Sequence, residues 1–349
     1  MQLHTVLPGR DVAVRVVYEQ CDRCQAGVRP LLADVGADPE GFTPGLRELA
    51  VLASVVEPYE AASAEVLGRF AGVHVSTEKL QALVQAVAPV AETVPGPAPV
   101  APAEGSVPRC VAVDGGLSFV DGRWQEVKLA CVFAPEACAT PETRPTLTAR
   151  QVVAVRGTPE ALAQRLWPHV APLTARSERI VVLGDGAPWI WNLAATLFPH
   201  RVEVFDWYHA DEHVSAVARV LYGEGTPKAA VWRQAQLDRL WHDDVDQVIE
   251  GLRFLAAHQR RPAKRLAVDG LHRYLTTHRD RMRYATFRAA GYRIGSGAVE
   301  SAVSHVIHQR MKRVGMRWRA AGADAMLTLR AVYRSTGAWD QLWGRTRAA

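Results

Sequence analysis

The stretch from residue 109 to residue 207 alternates between short apolar runs and helix-forming segments, and this order constrains the fold more than any other feature of the chain. Strand character is found in five runs, RCVAVDG, WQEVKLACVFA, RQVVAVRG, ERIVVLGDG and HRVEVFDW. Helices are predicted for EALAQRLWPHV, which follows Thr158-Pro159, and for residues 189–198. With Asp121-Gly122 as the turn of a first hairpin, the predicted order is β-β-β-α-β-α-β.

This order predicts an antiparallel meander followed by parallel strand-helix units, in which the fourth strand pairs beside the first. That is the topology of the ribonuclease H-like fold. Residues 226–290 are predicted to be nearly all helical, because apolar residues recur at helical spacing, namely Leu237, Leu240, Trp241, Val248, Leu252 and Leu255. The predicted fold class is α/β, a ribonuclease H-like mixed sheet with an all-helical insertion, preceded by a small helical N-terminal domain.

The clearest predicted boundary is the proline-rich linker at residues 91–108, which separates an N-terminal region of residues 1–90 from the rest. Within that region GLRELAVLASVV, PYEAASAEVLGRF and STEKLQALVQAVA predict three helices. The turn between the last two favours a helix-turn-helix unit, whereas the scarcity of cations on the third helix favours a plain bundle. After the linker we expect the catalytic domain at residues 109–225, the insertion at 226–290, and completion of the catalytic domain with basic C-terminal helices at 291–349.

The five cysteines do not predict a disulfide framework in a chain of 349 residues. Cys110, Cys131 and Cys138 are expected to be buried or unreactive thiols. Cys21 and Cys24 form a C-x-x-C knuckle that resembles half of a zinc ribbon. A structural zinc site needs four ligands, and the sequence has no second cysteine pair to complete one, so structural zinc is not expected.

The positive charge is concentrated at the C-terminal end. From Arg279 onward the sequence has fourteen Lys or Arg and four Asp or Glu, a local balance of +10, so the preceding residues sum to −5. This asymmetry favours a polyanionic partner, most plausibly nucleic acid, over a merely solvated face. The sequence shows neither a membrane-spanning run nor a signal peptide, which predicts a cytoplasmic location.

One short motif suggests a different chemistry. His209, Glu212 and His213 form H-x-x-E-H, the order used by inverted zinc metallopeptidases. On a helix the two imidazoles lie one turn apart, where they could share a zinc ion, and Glu212 could act as a base. Such residues also occur at this spacing on many solvated helix faces, so both interpretations remain open on the motif alone.

Three carboxylates are predicted to meet. Asp114 ends the first strand and Asp185 ends the fourth, and strands that are neighbours in an open α/β sheet carry their ligands at this edge. Glu300 begins an amphipathic helix whose inward face is expected to hold Val299, Val303, Val306, Met311 and Val314. The alternatives are local, since Asp-Gly is common in turns and a glutamate complements a helix dipole. Together, three carboxylates suffice to hold two Mg²⁺ ions for phosphodiester chemistry.

Four segments carry a family resemblance, namely VDGG around Asp114, GDGAPWIW around Asp185, FDWYH, and GSGAVES around Glu300. From about residue 43 to its end the chain resembles the DDE transposases of bacterial insertion sequences, most closely the ISKra type. The resemblance implies a ribonuclease H-like catalytic domain with a helical insertion, and a catalytic, metal-binding triad of Asp114, Asp185 and Glu300 that uses two Mg²⁺ or Mn²⁺ ions. It also implies that Asp206 and His209 form the C/D-x-x-H element that supports the active site. Relatives begin with a further cysteine pair, which predicts an N-terminally truncated or mis-started copy.

The expected function is therefore metal-dependent cleavage and strand transfer of an insertion sequence. The expected partners are transposon ends and target DNA, bound by a homodimer or larger assembly near the nucleoid. Arg310, Lys312, Arg313, Arg317 and Arg319 are expected to contact phosphates. The alternatives are a ribonuclease H-like nuclease without transposition activity, a degenerate copy that only binds DNA, and, more remotely, the zinc peptidase.

Overall fold

The computed structural model of the protein describes residues 41–94, 108–135, 147–176 and 179–344, together with short pieces before residue 39. The chain forms two compact units. The helical unit contains Met1–Gly96, Leu117–Gln125 and His305–Ala349, and the sheet unit contains Pro97–Gly116 and Glu126–Ser304. Most of the predicted linker, and Cys138, lie outside the described residues. Residues from His305 onward group with the N-terminal helices, whereas the sequence analysis assigned them to the end of the catalytic domain.

The sheet has five strands, β1 (Cys110–Val120), β2 (Arg123–Pro135), β3 (Leu147–Arg156), β4 (Ile180–Gly184) and β5 (Arg201–Phe205). Their spatial order is β3-β2-β1-β4-β5. β2 and β3 are antiparallel, whereas β4 runs parallel to both β1 and β5. The predicted pairing of the fourth strand beside the first is therefore confirmed, and the protein is a mixed α/β structure.

The hairpin between β1 and β2 turns at Asp121 and Gly122, whose φ angles are 47° and 78°. Two consecutive positive φ angles are what a type I′ turn requires, and Asp-Gly is a favoured pair for it. Beyond its pairing with β4, β1 continues to Val120, so the prediction that this strand ends at Asp114 is wrong. The strand continues because β2 remains beside it after β4 has ended.

The principal α-helices are α1 (Pro44–Val56), α2 (Thr77–Glu92), α3 (Pro159–Ala175), α4 (Pro188–Leu197), α5 (Trp207–Tyr222), α6 (Pro227–Trp241), α7 (Val245–His258), α8 (Pro262–His278), α9 (Tyr284–Ala289), α10 (Gly297–Val303), α11 (Ala320–Arg334) and α12 (Ala338–Leu342). Further helical segments are Tyr59–Ala61, Ala62–Phe70, Arg279–Arg281, Ser304–His308 and Gln309–Met311. None of the helices in the described chain is long and apolar enough to cross a membrane.

The core of the sheet unit is continuous from the strands into the helical insertion. Buried side chains of β1, β2, β3, β4 and β5 join those of α3 and α4 and then those of α5 to α8 in one cluster. The predicted apolar stripe of the insertion is confirmed at Leu237, Leu240, Val248 and Leu252, which are buried, whereas Trp241 and Leu255 are only partly buried. Because the insertion shares its core with the sheet, it is expected to fold with the sheet and not as an appendage.

The helical unit confirms the three predicted N-terminal helices. Thr43 and Ser76 cap α1 and α2 by accepting hydrogen bonds from the backbone N–H groups of Leu46 and Lys79. The middle helix is mostly a π-helix, over Ala62–Phe70. Helix α2 packs closely against α11, so the N-terminal helices form one bundle with C-terminal helices of the same unit.

Candidate active site

The three predicted carboxylates stand on three separate elements of the sheet unit. Asp114 lies within β1, Asp185 directly follows the last residue of β4, and Glu300 lies in the first turn of α10. The parallel register pairs Ala112 with Leu183, and two further residues along each strand bring Asp114 level with Asp185. The backbone fixes both carboxylates locally, because Gly115 N donates to Asp114 at 2.6 Å and Ala187 N donates to Asp185 at 2.9 Å.

The electrostatics of Asp114 bring the three residues together. Burial raises the pKa of Asp114, and the charges of Asp185 and Glu300 raise it further, against the lowering effect of His209. Like charges act on one another in this way only across a short distance or through a poorly screened environment. Asp185 and Glu300, both distant from Asp114 in sequence, thus act electrostatically on it, but among the described residues these three carboxylates do not form a group whose ligand atoms all lie within 4.8 Å of one another.

Asp206 is fully buried at the point where β5 leads into α5. Its Oδ1 accepts a hydrogen bond from the backbone N–H of His209 at 2.9 Å and faces ring Nδ1 of the same residue at 3.3 Å. Its Oδ2 accepts a hydrogen bond from the backbone N–H of Ser296. Burial opposes ionisation, but the hydrogen bonds from His209 and Ser296 outweigh it and hold the pKa of Asp206 below its usual value.

Ser296 extends this network to the third carboxylate. Its hydroxyl donates to Glu300 Oε1 at 2.5 Å. Ser296 therefore links the two carboxylates, since its backbone N–H binds Asp206 and its side chain binds Glu300. Within the described part of the chain, the one group of three or more potential metal ligands is Asp206, His209 and Glu300, whose ligand atoms lie within 4.8 Å of one another. Both Asp206 oxygens are already hydrogen-bonded, so this residue is better suited to positioning its neighbours than to binding a cation itself.

Asp206 also controls the charge of His209. The hydrogen bond to Asp206 raises the pKa of His209 to about 9, and the charges of Asp206, Asp185 and Glu212 act in the same direction against burial. The imidazole is therefore a cation at neutral pH, and it supplies positive charge beside the acidic cluster. Asp206 and His209, the residues expected to support the active site, lie next to Glu300.

We expect NMR titration of the His209 ring to give a midpoint near pH 9, and Asp206→Asn to bring that midpoint back toward the ordinary value of about 6.5. Because the folded-state pKa is raised, the stabilisation from this pair is fully present below pH 6.5 and is lost as the pH rises through 9. The free energy of unfolding should accordingly fall between pH 7 and pH 10 by more in the wild type than in Asp206→Asn. An unshifted His209 midpoint in the wild type would contradict the assignment.

Tyr274 is a supporting residue that the sequence did not reveal. This residue of α8 donates its hydroxyl hydrogen to the backbone oxygen of Asp185 at 2.7 Å. The turn after Asp185 fits closely beneath it, because Gly186 has a φ of +99° and a Cβ there would lie 2.6 Å from the Tyr274 hydroxyl oxygen. In the sequence Gly186 indicates that the backbone is closely approached there, but it does not identify Tyr274 as the residue that approaches it.

The second histidine of H-x-x-E-H lies in a different environment from the first. The His213 ring packs against the Tyr274 ring with centroids 4.0 Å apart, and burial lowers its pKa. Glu212 is exposed, and neither residue belongs to the three-ligand group of the described chain. This arrangement gives the zinc-peptidase alternative no complete set of protein ligands among those residues.

Cys21 and Cys24 are exposed free thiols in a turn between the paired strands Glu19–Gln20 and Gly27–Val28. No other described His, Cys, Asp or Glu joins them in a group of three potential ligands. The other two described cysteines, Cys110 and Cys131, are buried as predicted, and burial raises the pKa of each thiol to about 12.

The predicted phosphate contacts divide into two kinds. Lys312, Arg313, Arg317 and Arg319 are exposed on the helical unit, although Arg313 also pairs with Glu57 at 3.2 Å. Arg310, in contrast, is completely buried. Its guanidinium donates to the backbone oxygen of Ser54 at 3.0 Å and lies over the rings of Tyr59 and Trp318, so its burial contradicts the prediction that it contacts phosphate.

The predicted inward face of the helix after Glu300 needs a related correction. Val299, Val303, Val306 and Met311 are buried as expected, but Val314 is completely exposed. The helix ends at Met311, and Val314 lies in the following turn, where helical periodicity no longer applies.

Comparison with known proteins places part of this site in a family. Residues 170–346 match the model of an uncharacterised protein family (UPF0236). The matched segment contains Asp185, Asp206, His209 and Glu300, and it begins after Asp114. No curated protein matches the chain significantly.

Proposed function

We propose that this chain, which belongs to the uncharacterised protein family UPF0236, is a DDE transposase of the ISKra type. In this proposal the protein cleaves DNA at the ends of an insertion sequence and joins the freed ends to target DNA. The reaction depends on Mg²⁺ or Mn²⁺ bound by Asp114, Asp185 and Glu300.

The observation that carries the proposal is that Asp114 and Asp185 lie level on the neighbouring strands β1 and β4, where both Asp185 and Glu300 act electrostatically on Asp114. Burial and the charges of Asp185 and Glu300 raise the pKa of this residue, so the cluster is unfavourable while it holds only negative charge. A divalent cation would relieve that repulsion, and carboxylate oxygens are the ligands that Mg²⁺ and Mn²⁺ prefer. The donor set therefore fits the metal that the proposal requires.

The arrangement of the sheet supports a ribonuclease H-like catalytic domain. The order β3-β2-β1-β4-β5, with an antiparallel meander on one side and parallel strands on the other, is the one predicted from the sequence for that fold. Asp114 and Asp185 come from the two central neighbours β1 and β4. Ligands in open α/β sheets bind at this kind of edge, where parallel strands end.

The residues of the chain have distinct roles in this reaction. Asp114, Asp185 and Glu300 would hold two divalent cations, which when bound activate the attacking oxygen and stabilise the leaving 3′ oxygen. Asp206 fixes the His209 ring and, through Ser296, the position of Glu300. Tyr274 fixes the backbone at Asp185. Precise support of this kind matters because small displacements of a reacting group are costly in rate.

A strand cleavage and strand transfer assay tests the proposal. The substrates are a pair of DNA fragments that carry the inverted repeats flanking the gene and a supercoiled target plasmid, incubated with Mg²⁺ or with EDTA. We expect Mg²⁺-dependent nicks at the repeat ends and products in which those ends are joined to the plasmid. Nicking without joined products would favour the nuclease alternative, and tight binding without nicking would favour a degenerate DNA-binding copy.

The exposed basic residues near the C-terminus give a separate prediction. If Lys312, Arg317 and Arg319 contact phosphates, their triple alanine variant should bind all DNA sequences more weakly, and its log affinity against log salt should lose about one unit of slope per lost contact. Fluorescence anisotropy with a duplex at several NaCl concentrations measures this slope.

A matched control removes the same charge from exposed positions of the insertion, Lys228, Arg260 and Arg261. The control variant should keep the wild-type slope. If both triple variants change the slope equally, the effect follows from net charge and the basic end of the chain is only a solvated face.

A further inference from the structure

A pocket of about 640 Å³ opens on the sheet unit beside the carboxylate site. Its volume is within the range of small-molecule binding sites, roughly 300–1,000 Å³. Five of its lining residues are aromatic, namely Phe133, Trp207, Tyr208, Trp241 and Tyr292. Two are arginines, Arg150 and Arg293, and none of the described lining residues is acidic.

Two segments that line the pocket also carry residues of the candidate active site. Trp207 and Tyr208 lie between Asp206 and His209 at the beginning of α5. The lining also contains Gly295 and Ser301, which are adjacent in sequence to Ser296 and Glu300. Because successive residues of a helix point about 100° apart, α10 can present Ser301 to the pocket while Glu300 belongs to the carboxylate network.

The aromatic residues of the pocket differ in how closely they pack against other side chains. Trp207 packs edge-on against Trp241 and Tyr284, and Arg288 covers a face of Trp241 at 3.7 Å, so these rings are held within the structure. Tyr208 is 56 % exposed. Its ring lies against Gly295, where a Cβ would come within 2.9 Å of it. The pocket therefore has a rigid aromatic wall and an exposed ring supported by a glycine.

This combination suits one class of ligand. Nucleobases stack on aromatic side chains, and arginine side chains bind phosphate. A base that remains paired within a duplex cannot stack in such a pocket, whereas a base that has left the duplex can. Stacking does not require base-specific hydrogen bonds, so the site would accept different bases.

We propose that this pocket binds one unpaired nucleotide of the DNA next to the phosphate held at Asp114, Asp185 and Glu300, with its base stacked on Tyr208. The inference rests on the proposed function for its place in the reaction, but single-strand binding can be measured without catalysis. Arg293 contacts the phosphate of that nucleotide, and Gly295 keeps Tyr208 in its stacking position.

The test measures binding of two fluorescein-labelled 12-mers by fluorescence anisotropy, with Ca²⁺ in place of Mg²⁺. One is oligothymidylate, and the other has the same number of phosphates on abasic sugars. We expect the wild type to bind oligothymidylate more tightly, and Tyr208→Ala to lose on the order of 10-fold in affinity for it while its affinity for the abasic 12-mer stays within about 2-fold. Tyr208→Phe should retain wild-type affinity, since the phenyl ring also stacks.

Three further variants sharpen the result. Gly295→Ala should weaken oligothymidylate binding as Tyr208→Ala does, because the added methyl displaces the ring. Arg293→Met should weaken binding of both 12-mers equally. Phe254→Ala is the matched control, since Phe254 is an aromatic residue of α7 that is 66 % exposed and does not line the pocket. It should bind both 12-mers like the wild type.

The outcomes separate this inference from the proposed function. Equal wild-type affinity for the two 12-mers, or an unchanged affinity in Tyr208→Ala, would overturn the nucleotide pocket. The pocket would then be a candidate site for an aromatic side chain of a protein partner. Base-dependent binding that Tyr208→Ala abolishes supports the pocket even in a protein that fails to cleave DNA. A wild type that cleaves and transfers strands while Tyr208 has no effect on binding supports the proposed function and rejects the pocket.

Discussion

Asp114→Asn, Asp185→Asn and Glu300→Gln are each expected to lower metal-dependent strand cleavage by on the order of 10³-fold or more. Each change removes one ligand charge from the site that is proposed to hold two cations, while it preserves the size of the side chain. Folding should survive. Burial and neighbouring negative charges raise the pKa of Asp114, so the folded state already disfavours its ionised form, and Asp114→Asn should leave the metal-free protein as stable as the wild type or slightly more stable.

The control for these variants is Glu212→Gln, together with His213→Ala. Glu212 is an exposed carboxylate close in sequence to His209, and neither residue belongs to the proposed metal site. Both should cleave DNA within a few fold of the wild type, whereas a zinc peptidase would lose its base or a ligand. Partial rescue of the weaker triad variants by Mn²⁺ is expected, because Mn²⁺ tolerates imperfect coordination better than Mg²⁺. A fully active Glu300→Gln enzyme would require a different third ligand.

Arg330→Met is expected to destabilise the helical unit by about 3–5 kcal/mol. Arg330 is 3 % exposed, and its guanidinium donates hydrogen bonds to the backbone oxygens of Val55, His305 and Val306. Burial, followed by the neighbouring arginines, lowers the pKa of this group to about 9. Methionine fills much of the same space but leaves three buried carbonyl groups without their donor.

Chemical denaturation monitored by circular dichroism measures the loss, and Arg317→Met is the matched control because Arg317 is exposed on the same unit. The control should unfold within about 0.5 kcal/mol of the wild type. Equal effects of the two substitutions would mean that the carbonyl network around Arg330 contributes nothing beyond the general loss of an arginine.

Much of the sheet unit could be predicted because its signals are local. The apolar runs of β1 and β4 each lead to an Asp-Gly pair, and the order of the strands fixes which of them are neighbours. That reasoning was sufficient to propose Asp114 and Asp185 as residues of one site. Glu300 could be proposed from its place near a helix start and from the family resemblance. Neither signal predicts its hydrogen bond to Ser296.

The residues that the sequence did not reveal, or assigned incorrectly, depend on contacts between distant parts of the chain. Tyr274 is one polar residue of an amphipathic helix, and only the fold places its hydroxyl at Asp185. Arg310 was expected at the surface because arginine is rarely buried. The Ser54 carbonyl and the rings of Tyr59 and Trp318 compensate for its burial, and no local pattern indicates partners so far away in sequence.

The hydrogen bond from Tyr274 to the backbone at Asp185 also has a consequence for biosynthesis. During translation β1 and β4 leave the ribosome well before α8, and α10 leaves later still. Domains generally fold as units once their chain is available. A nascent chain that has exposed both aspartates therefore still lacks the support of Tyr274 and the carboxylate of Glu300. Under the proposed function, a nascent chain could therefore not cleave DNA before α10 has been translated.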